Sequence, residues 1–163
     1  MIVVDTSAFS SLTIADVLDS VLTEYDIHTT QHVVDKLRTT AEYDDVHGTA
    51  ADHVLARTRY ITIDAVDDPE LRTSRIDTGE ATCIQIVQRR EADFLSTDDL
   101  CALPELQQLT DAQVAISPLL LRVLVKRGVL TNDEARERLE KMAASRDWLG
   151  APIYRRVQQL FNE

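Results

Sequence analysis

The chain has 163 residues, of which 44% are hydrophobic and 28% are charged, a composition typical of one globular domain and not of a disordered or fibrous protein. No apolar run approaches the about 20 residues that cross a bilayer, and the first residues lack the features of a secretory signal, so we expect no membrane association. Acidic residues dominate, with 18 aspartates and 10 glutamates against 14 arginines and 3 lysines and a formal net charge of −11, which suggests a halophilic protein whose acidic surface stays hydrated at high salt.

Short apolar strands alternate with amphipathic helices in the first 116 residues. The predicted strands cover residues 2–4, 27–30, 60–63, 93–96 and 114–116. The predicted helices cover residues 13–25 with Thr13 as N-cap, a segment around Val33, Val34 and Leu37, residues 47–57 and residues 79–91. Alternation of this kind predicts an α/β fold with a central, mostly parallel β-sheet flanked by helices.

The rest of the chain is predicted to be helical, over residues 118–127, 132–145 and 152–161. Thr131 and Glu134 have the spacing of a capping box at the start of the second of these helices. Because no linker, repeat or low-complexity run divides the sequence, we expect one domain over residues 1–163, made of an α/β core (1–116) and a helical C-terminal extension (117–163).

Acidic residues follow two of the predicted strands. Asp5 comes directly after the apolar run Ile2–Val4, and Asp98 and Asp99 come directly after residues 93–96 and Thr97. Ligands of parallel α/β sheets gather outside the carboxyl ends of the strands, so we expect these carboxylates to lie at one edge of the sheet. The spacing leaves open whether Asp98 or Asp99 is the functional residue.

Two further acids, Asp35 in VVDKL and Glu80 in DTGEATCI, belong to predicted helices or their starts. Clustered carboxylates repel one another, and a bound cation relieves the repulsion. Oxygen ligands without Cys or His favour Mg²⁺ or Mn²⁺, and such a site suits metal-dependent hydrolysis of a phosphodiester.

The opening VVDTSAF, the acid in VVDKL, the helix start DTGEATCIQIV and the stretch ADFLSTDD occur in the order found in PIN-domain proteins. Over roughly residues 2–116 the chain resembles this family, which includes the VapC-like toxin ribonucleases. The pair Gly79–Glu80, the pair Asp98–Asp99, a Leu-rich helix and the stretch RGVLT are most similar to a subgroup of uncharacterised archaeal and bacterial PIN proteins.

The resemblance implies a PIN-like fold and an Mg²⁺- or Mn²⁺-dependent ribonuclease of the cytoplasm that cuts single-stranded RNA and leaves a 3′-hydroxyl. It assigns the metal to a set of acids, with hydroxyl groups in support. The implied catalytic and metal ligands are Asp5, Asp35, Glu80 and Asp98 or Asp99, and the implied supporting residues are Thr6, Ser7 and Thr97. A homodimer, a role as the toxin of a toxin–antitoxin pair and a small antitoxin protein as partner also follow from the resemblance.

Each acid also has a structural interpretation. Asp5 could begin a turn, Asp35 could be a solvated helix residue, and Asp98–Asp99 could begin a helix. Asp77 and Glu80 have the spacing of a capping box. Asp35 stands where the family usually has Glu, and no basic residue follows Asp99 in LCALPEL. These departures favour an alternative function, a non-catalytic module that binds RNA or protein.

Basic residues and cysteines complete the candidate list. The arginines closest in sequence to the acids are candidates for phosphate contacts, although in an acidic protein an arginine commonly pairs with a neighbouring carboxylate: Arg57, Arg59, Arg72, Arg75, Arg89 and Arg90. Cys83 and Cys101 do not form a CxxC pair, which argues against a zinc or redox site and is consistent with reduced thiols in the cytoplasm.

Overall fold

The computed structural model describes residues 1–71 and 73–162 and is built around a five-stranded sheet. The strands are β1 (Ile2–Val4), β2 (Ile27–Thr30), β3 (Thr62–Asp64), β4 (Phe94–Ser96) and β5 (Gln113–Ala115). Their order is β3-β2-β1-β4-β5, and every neighbouring pair is parallel. The prediction of an α/β fold with a mostly parallel sheet is confirmed, and the described sheet is parallel throughout.

Helices cover both faces of the sheet. They are α1 (Thr6–Ile14), α2 (Leu18–Glu24), α3 (Gln31–Thr40), α4 (Val46–Leu55), α5 (Thr78–Arg90), α6 (Leu103–Leu109), α7 (Ser117–Lys126), α8 (Asn132–Ser145) and α9 (Pro152–Gln159), and a 3₁₀ turn covers Thr58–Tyr60. The predicted capping box of α8 is present, with Thr131 and Glu134 bonded reciprocally. In the described part of the chain no helix is long and apolar enough to cross a membrane.

The central strand β1 fixes the position of the first acid. Ile2, Val3 and Val4 are almost completely buried, as expected for a strand covered on both faces of a parallel sheet. Val4 pairs with Ser96 of β4, and the Asp5 N–H continues the ladder by donating to the Ser96 carbonyl at 3.1 Å. Asp5 and the residues after β4 therefore leave the sheet side by side.

The prediction of one helix over residues 13–25 is wrong. Asp5 caps α1, which begins at once with Thr6, and the Thr13 hydroxyl donates to the Phe9 carbonyl inside the helix instead of capping a new one. The chain then turns at Asp16, whose φ is 56°, before α2 begins at Leu18. The sequence prediction also missed α6, a short helix with Pro104 in its first turn.

Candidate active site

A small polar pocket lies at the carboxyl ends of β1 and β4, beside the first turn of α5 and one face of α3. Three of the predicted acids line it together with other polar residues and enclose about 50 Å³. We call it the acidic pocket, and its polar lining residues are Asp5, Thr6, Ser7, Lys36, Asp77, Glu80 and Asp99. Elements distant in sequence thus bring carboxylates to the sheet edge at which parallel α/β proteins bind ligands.

Asp5 is buried and held on both oxygens. Its Oδ1 accepts hydrogen bonds from the Ala8 N–H at 2.9 Å and the Ser7 hydroxyl at 2.8 Å, and its Oδ2 accepts from the Thr97 hydroxyl at 2.5 Å. Burial raises the pKa of Asp5 to about 6, although these three hydrogen bonds act to lower it. Asp5 therefore caps α1 and also presents a carboxylate of fixed orientation to the pocket. Thr6, also predicted as a supporting residue, lines the same pocket.

Glu80 and Asp77 form the capping box that begins α5. The Asp77 Oδ1 accepts from the Glu80 N–H at 2.8 Å, and the Glu80 Oε2 accepts from the Asp77 N–H at 2.8 Å. Burial and neighbouring negative charges raise the pKa of Glu80 to about 7. Within the described residues, the second oxygen of Glu80 accepts no hydrogen bond, so the capping box leaves one oxygen for a ligand.

The structure separates the consecutive acids Asp98 and Asp99. Asp98 is buried, and its two oxygens accept from the Ser117 N–H and the Ser117 hydroxyl, each at 2.7 Å. Burial raises the pKa of Asp98, and its side chain supports the start of α7 instead of lining the acidic pocket. Asp99 is exposed and lines the pocket. Its Oδ1 accepts from the Cys101 and Ala102 N–H groups, and its other oxygen has no partner among the described residues.

Helix α3 contributes Lys36, and not Asp35, to the pocket. Val33 and Lys36, three residues apart, lie on the helix face toward the pocket. Asp35 is exposed and accepts from the Gln31 amide at 2.9 Å and the Arg38 guanidinium at 3.1 Å. The structure therefore does not bring Asp35 together with the other acids. Sequence reasoning missed Lys36, although its spacing from the buried Val33 was a readable signal.

The Lys36 ammonium donates to Asp77 Oδ2 at 2.9 Å. Partial burial acts to lower the pKa of Lys36, but the ion pair with Asp77 and the charges of Asp5 and Glu80 outweigh it, and the net shift is upward. In the same way, burial acts to raise the pKa of Asp77, and its bonds to the Glu80 N–H and to Lys36 reverse this and lower it. Lys36 is therefore a permanent cation of the pocket at neutral pH.

The predicted phosphate-contacting arginines are mostly engaged elsewhere. Arg57 pairs with Asp19, Arg90 with Asp64, and Arg75 lies 3.8 Å from Glu105. Arg59 stacks on the ring of Tyr60, and Arg89 forms no ion pair or ring contact with the other described residues. Arg72 lies outside the described residues.

The donor chemistry of the acidic pocket suits a hard divalent cation, because Asp5, Glu80 and Asp99 offer carboxylate oxygens. As these side chains stand, however, the described residues contain no group of three His, Cys, Asp or Glu side chains arranged to hold a metal ion. The pocket therefore fits a divalent cation in the type of its donor atoms, but its carboxylates do not form a ready-made ligand set.

Residues 1–163 match the sequence model of the family DUF3368, which is described as a PIN domain. The match covers every element described above, including the acidic pocket and the C-terminal helices. A search among curated proteins finds no match to the chain.

Proposed function

The chain belongs to the PIN-domain family, a nuclease-type family, and from this premise we propose that it is a divalent-metal-dependent endoribonuclease of single-stranded RNA. One observation carries the proposal: Asp5, Glu80 and Asp99 come from three separate segments and line one pocket at the carboxyl edge of the sheet. Each of the three acids also accepts a backbone hydrogen bond, but gathering three carboxylates in one pocket costs stability through like-charge repulsion, which a bound cation relieves.

Asp5, Glu80 and Asp99 are the proposed ligands of Mg²⁺ or Mn²⁺, which when bound supplies an activated water and a positive charge beside the scissile phosphate. Ser7 and Thr97 keep the Asp5 carboxylate in one orientation by donating to its two oxygens. Such preorganisation spares the site from reordering a ligand during the reaction.

In this proposal neither Asp98 nor Asp35 is a metal ligand. Asp98 holds the start of α7 through Ser117, while its N–H donates to the Ser7 hydroxyl at 2.8 Å. Asp98 thus positions Ser7 and, through it, Asp5. Asp35 lies outside the pocket, on the exposed side of α3, where it accepts hydrogen bonds from Gln31 and Arg38. Its loss is expected to leave cleavage largely intact.

The proposed homodimer has a candidate surface at the β5 edge of the sheet. Phe94, Leu119 and Val123 are large apolar side chains about one-third exposed, and they line a shallow groove of about 560 Å³. A two-fold symmetric dimer, in which both chains use the same surface, is the commonest oligomer of soluble proteins. Val123→Asp is expected to convert a dimer to a monomer in light scattering after gel filtration.

We further infer a cytoplasmic role at high salt, as the toxin of a toxin–antitoxin pair whose antitoxin covers the acidic pocket. The support is indirect: a strongly acidic chain, two free cysteines and the family. Because a partner that places a cation in the pocket would compete with the metal, added Mn²⁺ is expected to weaken the complex.

The alternative is a non-catalytic PIN module that binds RNA or protein. Lys36 in the pocket, Asp35 outside it and the absence of a three-acid metal group in the described chain favour this alternative. The two functions differ in one measurable property, since a binding module has no need of a divalent cation.

The test is Mn²⁺-dependent cleavage of a fluorescent single-stranded RNA at high KCl. Wild type and Asp35→Asn are expected to cut the RNA, and Asp5→Asn is expected to abolish cutting while remaining folded. RNA binding without cleavage by a chain that also binds no Mn²⁺ would establish the alternative. Cleavage that survives Asp5→Asn would remove the acidic pocket from the reaction.

A further inference from the structure

The acidic pocket contains its own cation. Lys36 extends from α3 among four carboxylates, with its ammonium 2.9 Å from Asp77 Oδ2 and close enough to Asp5 and Glu80 for their charges to raise its pKa. Its side chain is 54% exposed, so it meets solvent at the mouth of the pocket. The pocket therefore holds a solvent-accessible ammonium beside its carboxylates.

The ion pair with Lys36 removes one carboxylate from the set of free ligands. The ammonium balances the negative charge of Asp77, which among the described residues is the one carboxylate of the pocket with a cationic partner. The negative charges of Asp5, Glu80 and Asp99 remain for a bound cation. Three carboxylates neutralise one divalent cation with one negative charge in excess, and they are too few to balance two such cations.

The volume of the pocket agrees with this charge balance. The enclosed space is about 50 Å³, whereas a single water needs about 10–15 Å³ by this kind of measure. The space corresponds to roughly three to five water-sized volumes, which suits one ion with its waters better than two hydrated ions.

We propose that Lys36 is a fixed positive charge of this site, which limits the acidic pocket to one divalent cation and weakens the binding of that cation. The inference rests on the proposed metal-dependent function, because it specifies the cation content of the same pocket. The ammonium takes the place of a second metal ion as the group that faces the incoming phosphate. It also keeps the acids together when no metal is bound.

Isothermal titration with Mn²⁺ tests the proposal without any substrate. Wild type is expected to bind one ion per chain. Lys36→Gln removes the charge from a half-exposed side chain and is expected to bind Mn²⁺ about tenfold more tightly, since a unit charge repels a divalent ion at short range even in a partly solvated pocket. Lys36→Glu is expected to bind at least as tightly as Lys36→Gln.

Two variants serve as controls. Lys36→Arg keeps the charge and is expected to retain the wild-type affinity. Lys141→Gln removes an equal charge from a half-exposed lysine of α8 that is ion-paired with Asp16, outside the acidic pocket, and is expected to leave the affinity unchanged. Circular dichroism melts of all variants establish that each is folded during the titration.

An unchanged Mn²⁺ dissociation constant in folded Lys36→Gln, or two ions bound per wild-type chain, overturns the proposal. Cleavage of RNA measured in parallel separates this failure from that of the proposed function. If Lys36→Gln tightens Mn²⁺ binding and neither protein cuts RNA, the role of Lys36 stands and the nuclease fails. If both cut RNA with equal Mn²⁺ affinity, the nuclease stands and the role of Lys36 fails.

Discussion

Replacing either of the consecutive acids Asp98 and Asp99 by alanine separates a structural role from a functional one. Asp98→Ala removes the acceptor of two hydrogen bonds from Ser117, one from its N–H and one from its hydroxyl, in a buried site. A hydrogen bond to a charged group is worth about 1.5–3 kcal/mol. Because burial of the carboxylate, which also raises the pKa of Asp98, offsets part of that gain, we expect a net loss of about 3 kcal/mol.

Asp99→Ala removes bonds from the Cys101 and Ala102 N–H groups at an exposed position. Such bonds resemble a helix cap and are worth about 1 kcal/mol. For a domain of this size, 1 kcal/mol corresponds to about 2–4 °C in Tm. Asp98→Ala is therefore expected to lower Tm by about 6–12 °C, and Asp99→Ala by no more than about 4 °C.

The assay combines thermal unfolding in EDTA with Mn²⁺ titration of the folded conservative variants. Asp98→Asn keeps a carbonyl acceptor for the Ser117 N–H, and we expect it to bind Mn²⁺ like the wild type. Asp99→Asn is expected to weaken Mn²⁺ binding at least tenfold. If Asp99→Ala destabilises the chain as much as Asp98→Ala, or if Asp98→Asn is folded and loses Mn²⁺ binding, the separation of the two roles is refuted.

Three further predictions concern stability. Because burial raises the pKa of Asp5 from 3.8 to about 6, the native state binds more protons than the unfolded state in this window, and ionisation of Asp5 destabilises the fold as pH rises. In chelator, the wild type is expected to lose about 3 kcal/mol of unfolding free energy between pH 3.8 and about pH 6, whereas Asp5→Asn is not. A difference between the two proteins that stays constant over this range would contradict the raised pKa of Asp5. Arg146→Ala removes the guanidinium that donates to the Ser11 hydroxyl at 3.0 Å and is expected to cost about 2 kcal/mol in urea unfolding, so an unchanged midpoint refutes that contact. A Cβ on Gly48 would lie 1.9 Å from the Tyr43 carbonyl oxygen, and Gly48→Ala is expected to cost about 2–3 kcal/mol, an expectation that fails if its melt matches the wild type.

The sheet could be predicted from the sequence because its strands are short, apolar and separated by helices. Each predicted strand overlaps an observed one, since buried runs such as Ile2–Val4 have few other stable environments. The placement of Asp5 at the sheet edge followed from topology. The segment 13–25 was mispredicted because its apolar spacing continues across Asp16, where the backbone turns to a positive φ.

The pocket could be predicted only in part, because neighbouring residues in the chain point their side chains in different directions and the sequence does not say which of them enters the pocket. On α3, one residue is a rotation of about 100°, which is enough to place Lys36 in the pocket and Asp35 in solvent. After β4, the choice between Asp98 and Asp99 depends on Ser117, which is 19 residues away in sequence. The contact between Asp98 and Ser117 is tertiary, and no local sequence pattern contains it.

The contacts of Asp98 have a consequence for how the protein can be divided. Ser117 begins α7 and binds Asp98, and Arg146, which follows α8, donates to the Ser11 hydroxyl and the Ser7 carbonyl in α1. A fragment that ends at residue 116 therefore loses groups that pack directly behind the acidic pocket. The C-terminal helices therefore support the site from outside it, and mutations in α7 or α8 that are distant from the acidic pocket are expected to reduce activity through the geometry of Ser7.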